Sequence, residues 1–445
     1  MELDMTKGRP LSLIVRFLLP VVAGNIFQQL YNVADSIIVG RCLGADALAA
    51  VGATGTIVFL IIGFMNGMTS GFAVVTAQRF GGGDEEGVRT SVCGGIVLSA
   101  IICAVMTAAS LVGMRGLLTL MNTPDNVFDM SYTYIFTICA GLVFTVLYNL
   151  TSAFLRAIGN SRVPLYFLLA AAGLNIVLDL VFIIYCNMGV FGAAFATVLS
   201  QGVSGIGCLI YIIRKCPVLS PQPADWRLYR ACTRQQLNIG LPMALQFSIT
   251  AIGTIIVQSA LNTLGSTVMA AYTASQKVEN IVTTPFLAMG VAMATYTGQN
   301  RGVSDYERIK KGTRDGAVIT IFYAIAVAFA VVLTVDYTIP LFVDSDPEAI
   351  LAPARVYFSI CPMFYIPLGL IFVYRNTLQG MGYSVTTLLG AAIELASRIV
   401  LSIFAVKQAS FAGVCYANAI AWLSAGILLF LCYRITIRKN LQRAR

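Results

Sequence analysis

KCPVLSPQPADWRLYR, residues 215–230, is the only long polar, proline-rich interruption in a chain of 445 residues, and it falls almost at the midpoint. Everything on either side is dominated by apolar runs near 13–40, 47–80, 92–120, 131–155, 163–186 and 190–214, then near 235–262, 267–300, 315–343, 353–378, 385–408 and 411–435. A helix crossing a bilayer needs about 20 predominantly apolar residues. The chain is 58% apolar and 11% charged, whereas soluble domains run at roughly 45–50% and 25%. It lacks the charge to cover a water-facing surface. The fold class predicted is all-α integral membrane, with twelve transmembrane helices, six on each side of the interruption.

The two sides resemble each other. Leu19-Pro20 recurs at Leu241-Pro242, LGADALAAV (43–51) at LGSTVMAAY (264–272), and Gln78 at Gln299. LRAIGNS (155–161) answers LQGMGYS (378–384), and FGAAFA (191–196) answers FAGVCYA (411–417). The offset stays near 221–223 residues throughout. Residues 1–214 and 235–445 therefore read as two six-helix lobes, with 215–234 as a cytoplasmic linker. Six spans per copy give both copies the same orientation, so a pseudo-twofold axis along the membrane normal is expected. Parallel repeats of this kind place a substrate site at their interface and work by alternating access.

The net charge of +9 follows this topology. Every second connection is basic (Arg79 and Arg89; Arg156 and Arg162; Arg214 to Arg234; Arg301 to Arg314), and so are both termini, from Lys7 to Arg16 and from Arg434 to Arg445. By the positive-inside rule these segments and both termini face the cytoplasm. The charge is topological and no nucleic-acid partner is expected. There is no histidine, which excludes a Ser-His-Asp triad, and the eleven cysteines form no CxxC pair of the kind that marks a zinc or redox site. No GxxxxGK[ST] motif is present, so ATP does not drive the protein. No signal peptide is expected either, because MELDMTKGRP is charged and the first apolar run is too long for a cleaved segment.

Against this background two carboxylates stand out. Asp35 lies in QQLYNVADSIIVG (28–40), with Asn32 and Gln28 three and seven residues before it on one stripe of the helix. Asp179 lies in LNIVLDLVF, with Asn175 one turn earlier. A charged group at bilayer depth costs several kcal/mol, roughly 2.5 at the low end, and marks an ion or substrate pathway by default. At the repeat offset Asp35 faces Ile256 or Val257, and Asp179 faces Leu401 or Ser402, so neither acid belongs to the shared scaffold. With the hydroxyl of Thr197 they can form an oxygen-rich pocket for a proton or a sodium ion. Two carboxyls close together in apolar surroundings can share a proton. The competing reading of Asp35 is that it is merely wetted, since Gly40 ends the run only roughly 7 Å further on. For Asp179 the competing reading is a hydrogen bond between helices. Pro20 removes a backbone hydrogen bond from the first helix, either as part of a moving hinge or as a passive kink shared with Pro242. In the second half Glu394 and Arg398, four apart, are expected to form a structural ion pair. Glu279 faces a central cleft or anchors a helix interrupted by Pro285. GFMNGMTSG (63–71) suits close helix packing first and a pliable binding wall second.

QQLYNVADSIIVGRCLGADALAAVG, TAQRFGGGD, LRAIGNSRVP, LNIVLDLVF and GVFGAAFAT together resemble the multidrug and toxic compound extrusion (MATE) family, in its prokaryotic branch and over essentially the whole chain. The resemblance implies two six-helix lobes around a V-shaped cleft, and antiport of organic cations and amphiphilic drugs against H+ or Na+. It places the cation-coupling site on Asp35, Asn175, Asp179 and Thr197, which would also be the ligands if the ion is Na+, and the helix-bending proline on Pro20. Gln28, Asn32, Glu279, Met65 and Met289 are expected to line the substrate cleft. Other members carry acids in helices 7 and 10. Here helix 7 offers Gln246 and Gln258 and helix 10 has no acid, so a sodium site of that type is not expected in the second lobe. The protein is expected to be a monomeric, multi-pass transporter of the plasma or inner membrane that needs no cofactor. A flippase for a lipid-linked or polysaccharide precursor is the alternative within the same superfamily. It would need clustered Arg or Lys deep in the cleft, and only Lys277 and Arg398 qualify. An intramembrane enzyme would need a nucleophile and base that the spans do not supply.

Overall fold

The computed structural model describes residues 3–121, 123–228, 230–342 and 347–444. Of the basic residues used above, Arg445 and the side chain of Arg227 lie outside the described residues. The first half comprises α1 (Pro10–Leu43), α2 (Ala45–Gly81), α3 (Glu85–Leu120), α4 (Asp125–Ala140), α5 (Leu142–Ala157), α6 (Arg162–Leu180) and α7 (Gly189–Lys215). After the short α8 (Asp225–Leu228) come α9 (Arg230–Asn262), α10 (Ser266–Gly302), α11 (Tyr306–Thr338), α12 (Pro347–Ile360), α13 (Tyr365–Gly380), α14 (Ser384–Lys407) and α15 (Phe411–Ala444). Among the described residues there is no strand. Among the described residues eleven helical stretches are long and apolar enough to cross a membrane, and the bent pair α4–α5, taken as one span, makes a twelfth.

The bend in that pair has a side-chain cause. α4 and α5 meet at 48° around Gly141, where a Cβ would stand 2.4 Å from the methyl carbons of Val198 on α7. Glycine lets α7 close onto the break. One repeat length later the counterpart span is also interrupted, by a 3-10 turn over Cys361–Phe364 between α12 and α13. The connections repeat as well. Backbone in the left-handed region occurs at Gly44 and Gly265, at Gly83 and Ser304, at Gly159 and Gly382, and at Asn187 and Ala409. Asp84 and Asp305 each cap the helix that follows, accepting the N–H of Gly87 and of Arg308 at 2.9 Å. Such a cap satisfies one of the donors left open at a helix start.

Residues Met1–Asp4 and Leu19–Phe247 form one compact unit, and Met5–Leu18 with Ser248–Arg445 form a second. Each first-repeat helix thus changes unit close to its proline, α1 one residue before Pro20 and α9 five residues after Pro242. The glutamines at the foot of the second and eighth spans hold the entering chain in place. Gln78 Oε1 accepts from Gln235 Nε2 at 3.1 Å in the first unit, and Gln299 Oε1 accepts the Met5 N–H at 2.8 Å in the second.

In lipid there is little hydrophobic drive between helices, so close packing carries the association. Within the first unit the glycines of 63–71 supply it. A Cβ on Gly67 would lie 2.5 Å from Ala244 Cα, and one on Gly71 would lie 2.3 Å from Gly240 Cα. Both neighbours are backbone of α9, which cannot yield as a side-chain tip would. Gly67→Ala is therefore expected to destabilise the protein by about 1–3 kcal/mol. Gly52, on the same helix, has nothing within 4 Å of a Cβ, and Gly52→Ala should leave stability unchanged or raise it, by up to about 1 kcal/mol of helix propensity. Thermal unfolding of the two purified variants checks both signs, and equal midpoints would refute the contrast.

Candidate functional site

α1, α4, α6 and α7 of the first unit bring six polar side chains together. α6 buries Asn175 and Asp179 completely. Directly after Asp179, α6 loses its regular geometry in a π-helical turn over Val181–Tyr185, closed by the Cys186 N–H donating to Val181 O at 3.0 Å. π-turns are rare and frequently lie beside functional sites. Asp35, on α1, is half-buried, and its carboxyl lies beside that of Asp179. Two carboxyls side by side in apolar surroundings can share a proton. Asn175 Nδ2 donates to Thr197 Oγ1 at 3.4 Å. The Tyr31 hydroxyl, also on α1, hydrogen-bonds to Thr197. Tyr134, from α4, lies near Asp35, Asp179 and Tyr31.

The structure therefore gathers all four residues expected at the cation site, Asp35, Asn175, Asp179 and Thr197, and adds Tyr31 and Tyr134. One oxygen of Asp35, Oδ1, is buried without a hydrogen-bond partner among the described residues. A buried acceptor left open is a place for a donor or a cation. Two carboxyls, an amide oxygen and a hydroxyl are the hard oxygen ligands a small alkali cation takes, and the same pair can hold a proton in its place.

The residues expected along the cleft are distributed differently. Gln28 and Asn32 are exposed on α1 and take no part in the cluster's hydrogen bonds among the described residues. Met65 is fully buried among Ile57, Ile61, Cys103 and Met114 of the first unit. Met289 is 3% exposed and packs toward Gly316 in the second unit. Glu279 is buried in a nest of that unit. Its Oε2 accepts from the Tyr357 hydroxyl at 2.5 Å and from Gln276 Nε2 at 3.0 Å. Gln276 also reaches the Tyr357 hydroxyl at 2.7 Å, while Asn418 Nδ2 donates to the Tyr272 hydroxyl at 3.0 Å. α1 and α9 run through Pro20 and Pro242 as continuous helices.

The sequence profile of the MatE family matches residues 20–181 and, a second time, residues 242–404. The chain belongs to the MatE (MATE) family. The two matches open at Pro20 and Pro242, so the family's repeat is the duplication with an offset near 222 seen in the sequence and in the turns. A Bacillus subtilis (strain 168) protein named "Probable multidrug resistance protein YpnP" is 30% identical over 381 residues, covering 85% of this chain and 84% of its own. The Thermotoga maritima protein of the same description, NorM, is 23% identical over 436 residues, 96% of this chain and 90% of its own. A solved structure described as the outward-facing conformation of a multidrug resistance MATE family transporter of the MOP superfamily matches with a TM-score of 0.93 at 26% identity, over 98% of both chains. As a MATE protein the chain is a multi-pass membrane transporter and not an enzyme.

Proposed function

We propose that this MATE protein is a secondary antiporter of the cell membrane that exports small organic cations and amphiphilic drugs in exchange for H+ or Na+, with both termini in the cytoplasm. It acts as a monomer, with residues 1–214 and 235–445 as its two lobes and 215–234 as their cytoplasmic link. The observation that carries this reading is the adjacent carboxyl pair Asp35–Asp179, backed by Asn175, Thr197 and Tyr31. The multidrug resistance names of YpnP and of the superposed transporter support the drug-export part.

The chemistry follows from charge. When the shared proton leaves, two adjacent negative groups repel each other across the contact between α1 and α6. A returning proton, or a Na+ held by the two carboxyls, Asn175 and Thr197, restores the contact. A small cation therefore controls whether α1 is tied to α6. Pro20 leaves α1 one backbone hydrogen bond short, so the helix responds to that tie by bending. Loading the site in the outward-facing state favours release of the organic cation, and unloading it resets the cycle.

Purified protein in proteoliposomes, loaded with a fluorescent organic cation, tests this. A pH gradient and a Na+ gradient are imposed separately, without ATP. Export driven by at least one of them is expected. Release that follows neither gradient, at the rate of protein-free vesicles, would refute antiport.

A further inference from the structure

The second unit holds a cavity of about 700 Å3 where the start of α11 and the end of α15 lie beside α13. Its rim carries five bases, Lys310, Lys311 and Arg314 from α11 and Arg434 and Arg438 from α15, against one acid, Glu307. Glu307 already pairs with Lys310 at 3.6 Å. The other four bases enter no ion pair among the described residues. All four side chains are exposed.

Below this rim the cavity is aromatic. Tyr374 stacks on Tyr433 with ring centres 5.3 Å apart and meets Phe430 at 5.3 Å. Arg434 stands over the Phe430 ring at 5.7 Å. Phe430 is 38% and Val318, on the cavity's other wall, is 44% exposed. A cationic mouth above an apolar wall, at the end of membrane-spanning helices, matches one kind of ligand. It is an anion with a hydrocarbon tail.

We propose that this cavity binds the phosphate headgroup of an anionic phospholipid from the leaflet on the basic side of the protein, with the acyl chains lying along Phe430 and Val318. Guanidinium groups match phosphate oxygens in a two-pronged geometry, and basic pockets between helices on the cytoplasmic side are suited to acidic head groups. The cavity is separate from the cation site of the first unit, since every residue lining it belongs to the second. It also repels the transported class, because four uncompensated positive charges exclude an organic cation.

The full-length protein, purified and exchanged into phosphatidylglycerol or phosphatidylcholine, is examined by native mass spectrometry. Preferential retention of phosphatidylglycerol is expected. In the double variant Arg314→Ala/Arg434→Ala that preference should fall about five-fold for each base removed. Lys311→Glu, at an exposed position, reads the same preference if the double variant does not fold. Equal retention of the two lipids, or a preference unchanged in both variants, would overturn the assignment. Glycerophosphate offered without acyl chains separates lipid from soluble phosphate. Its failure to displace the bound lipid supports the proposal, and displacement at matched concentration overturns it in favour of a soluble phosphate ester.

Discussion

Asp35→Asn is expected to reduce gradient-driven export by about 100-fold while leaving a folded protein in the membrane. The substitution keeps the shape of the side chain, and its amide can still donate to Asp179, so the contact between α1 and α6 survives. What disappears is the ability to release and regain a charge at that contact. Coupling between two sites in one protein amounts to about 1–3 kcal/mol, a factor of roughly 5–150. Removing the only charge change on α1 forfeits essentially all of it. Asp179→Asn should behave alike, because either substitution leaves one carboxyl where the exchange needs two. Gln28→Ala and Asn32→Ala provide the contrast. Both residues lie on the stripe of α1 that leads to Asp35, yet both are exposed and outside the hydrogen-bonded cluster, so coupling to the gradient should persist in each. Transport in proteoliposomes under the better of the two imposed gradients, with unfolding midpoints measured alongside, checks the set. Export by Asp35→Asn at the unsubstituted rate would show that this carboxyl carries no coupling.

Much of this arrangement is written in the sequence, but unevenly. The duplication could be read because glycine at a left-handed turn and aspartate at a helix start are dictated locally, so LGADALAAV and LGSTVMAAY advertise the same turn in both halves. The charged members of the site were visible for a different reason: an acid inside an apolar run is conspicuous. Tyr31 and Tyr134 were not, because tyrosine is an ordinary residue at a membrane-spanning helix and two of the chain's 19 tyrosines carry no mark of their role. Tyr31 did have a signal, since it precedes Asp35 by one helical turn and shares its face. Tyr134 had none, as only the packing of α4 delivers it. The π-turn after Asp179 and the bend at Gly141 were equally hidden, and both depend on how a neighbouring helix fills space. Met65 shows the reverse problem. A methionine on a helix face can serve a binding wall or a core, and its neighbours, which the sequence does not name, place it in the core of the first unit.

The second unit shows what a buried acid does when it is not available for exchange. Arg398 Nη2 and Glu394 Oε1 on α14 are 2.8 Å apart, with side chains 9% and 12% exposed. Gly253 on α9 makes room for the pair, since a Cβ there would lie 2.8 Å from Arg398 Nη1. Truncating one partner of such a pair strands the other charge, and Arg398→Met is expected to destabilise the protein by about 3–5 kcal/mol. The double variant Glu394→Met/Arg398→Met should recover most of that loss, because a buried ion pair contributes little beyond what well-packed apolar groups of similar size provide. Unfolding midpoints of the single and double variants decide the matter, and a single variant as stable as the parent would show that the pair is solvated after all. The comparison with the first unit gives the result its meaning. In the family repeat α14 is the counterpart of α6, so the helix that presents Asp179 in one half presents a neutralised acid in the other. The Arg398 guanidinium beside Glu394 makes that contact an ion pair and not a pair of carboxyls. The double variant should therefore still respond to the gradient, whereas Asp35→Asn, with stability intact, should not.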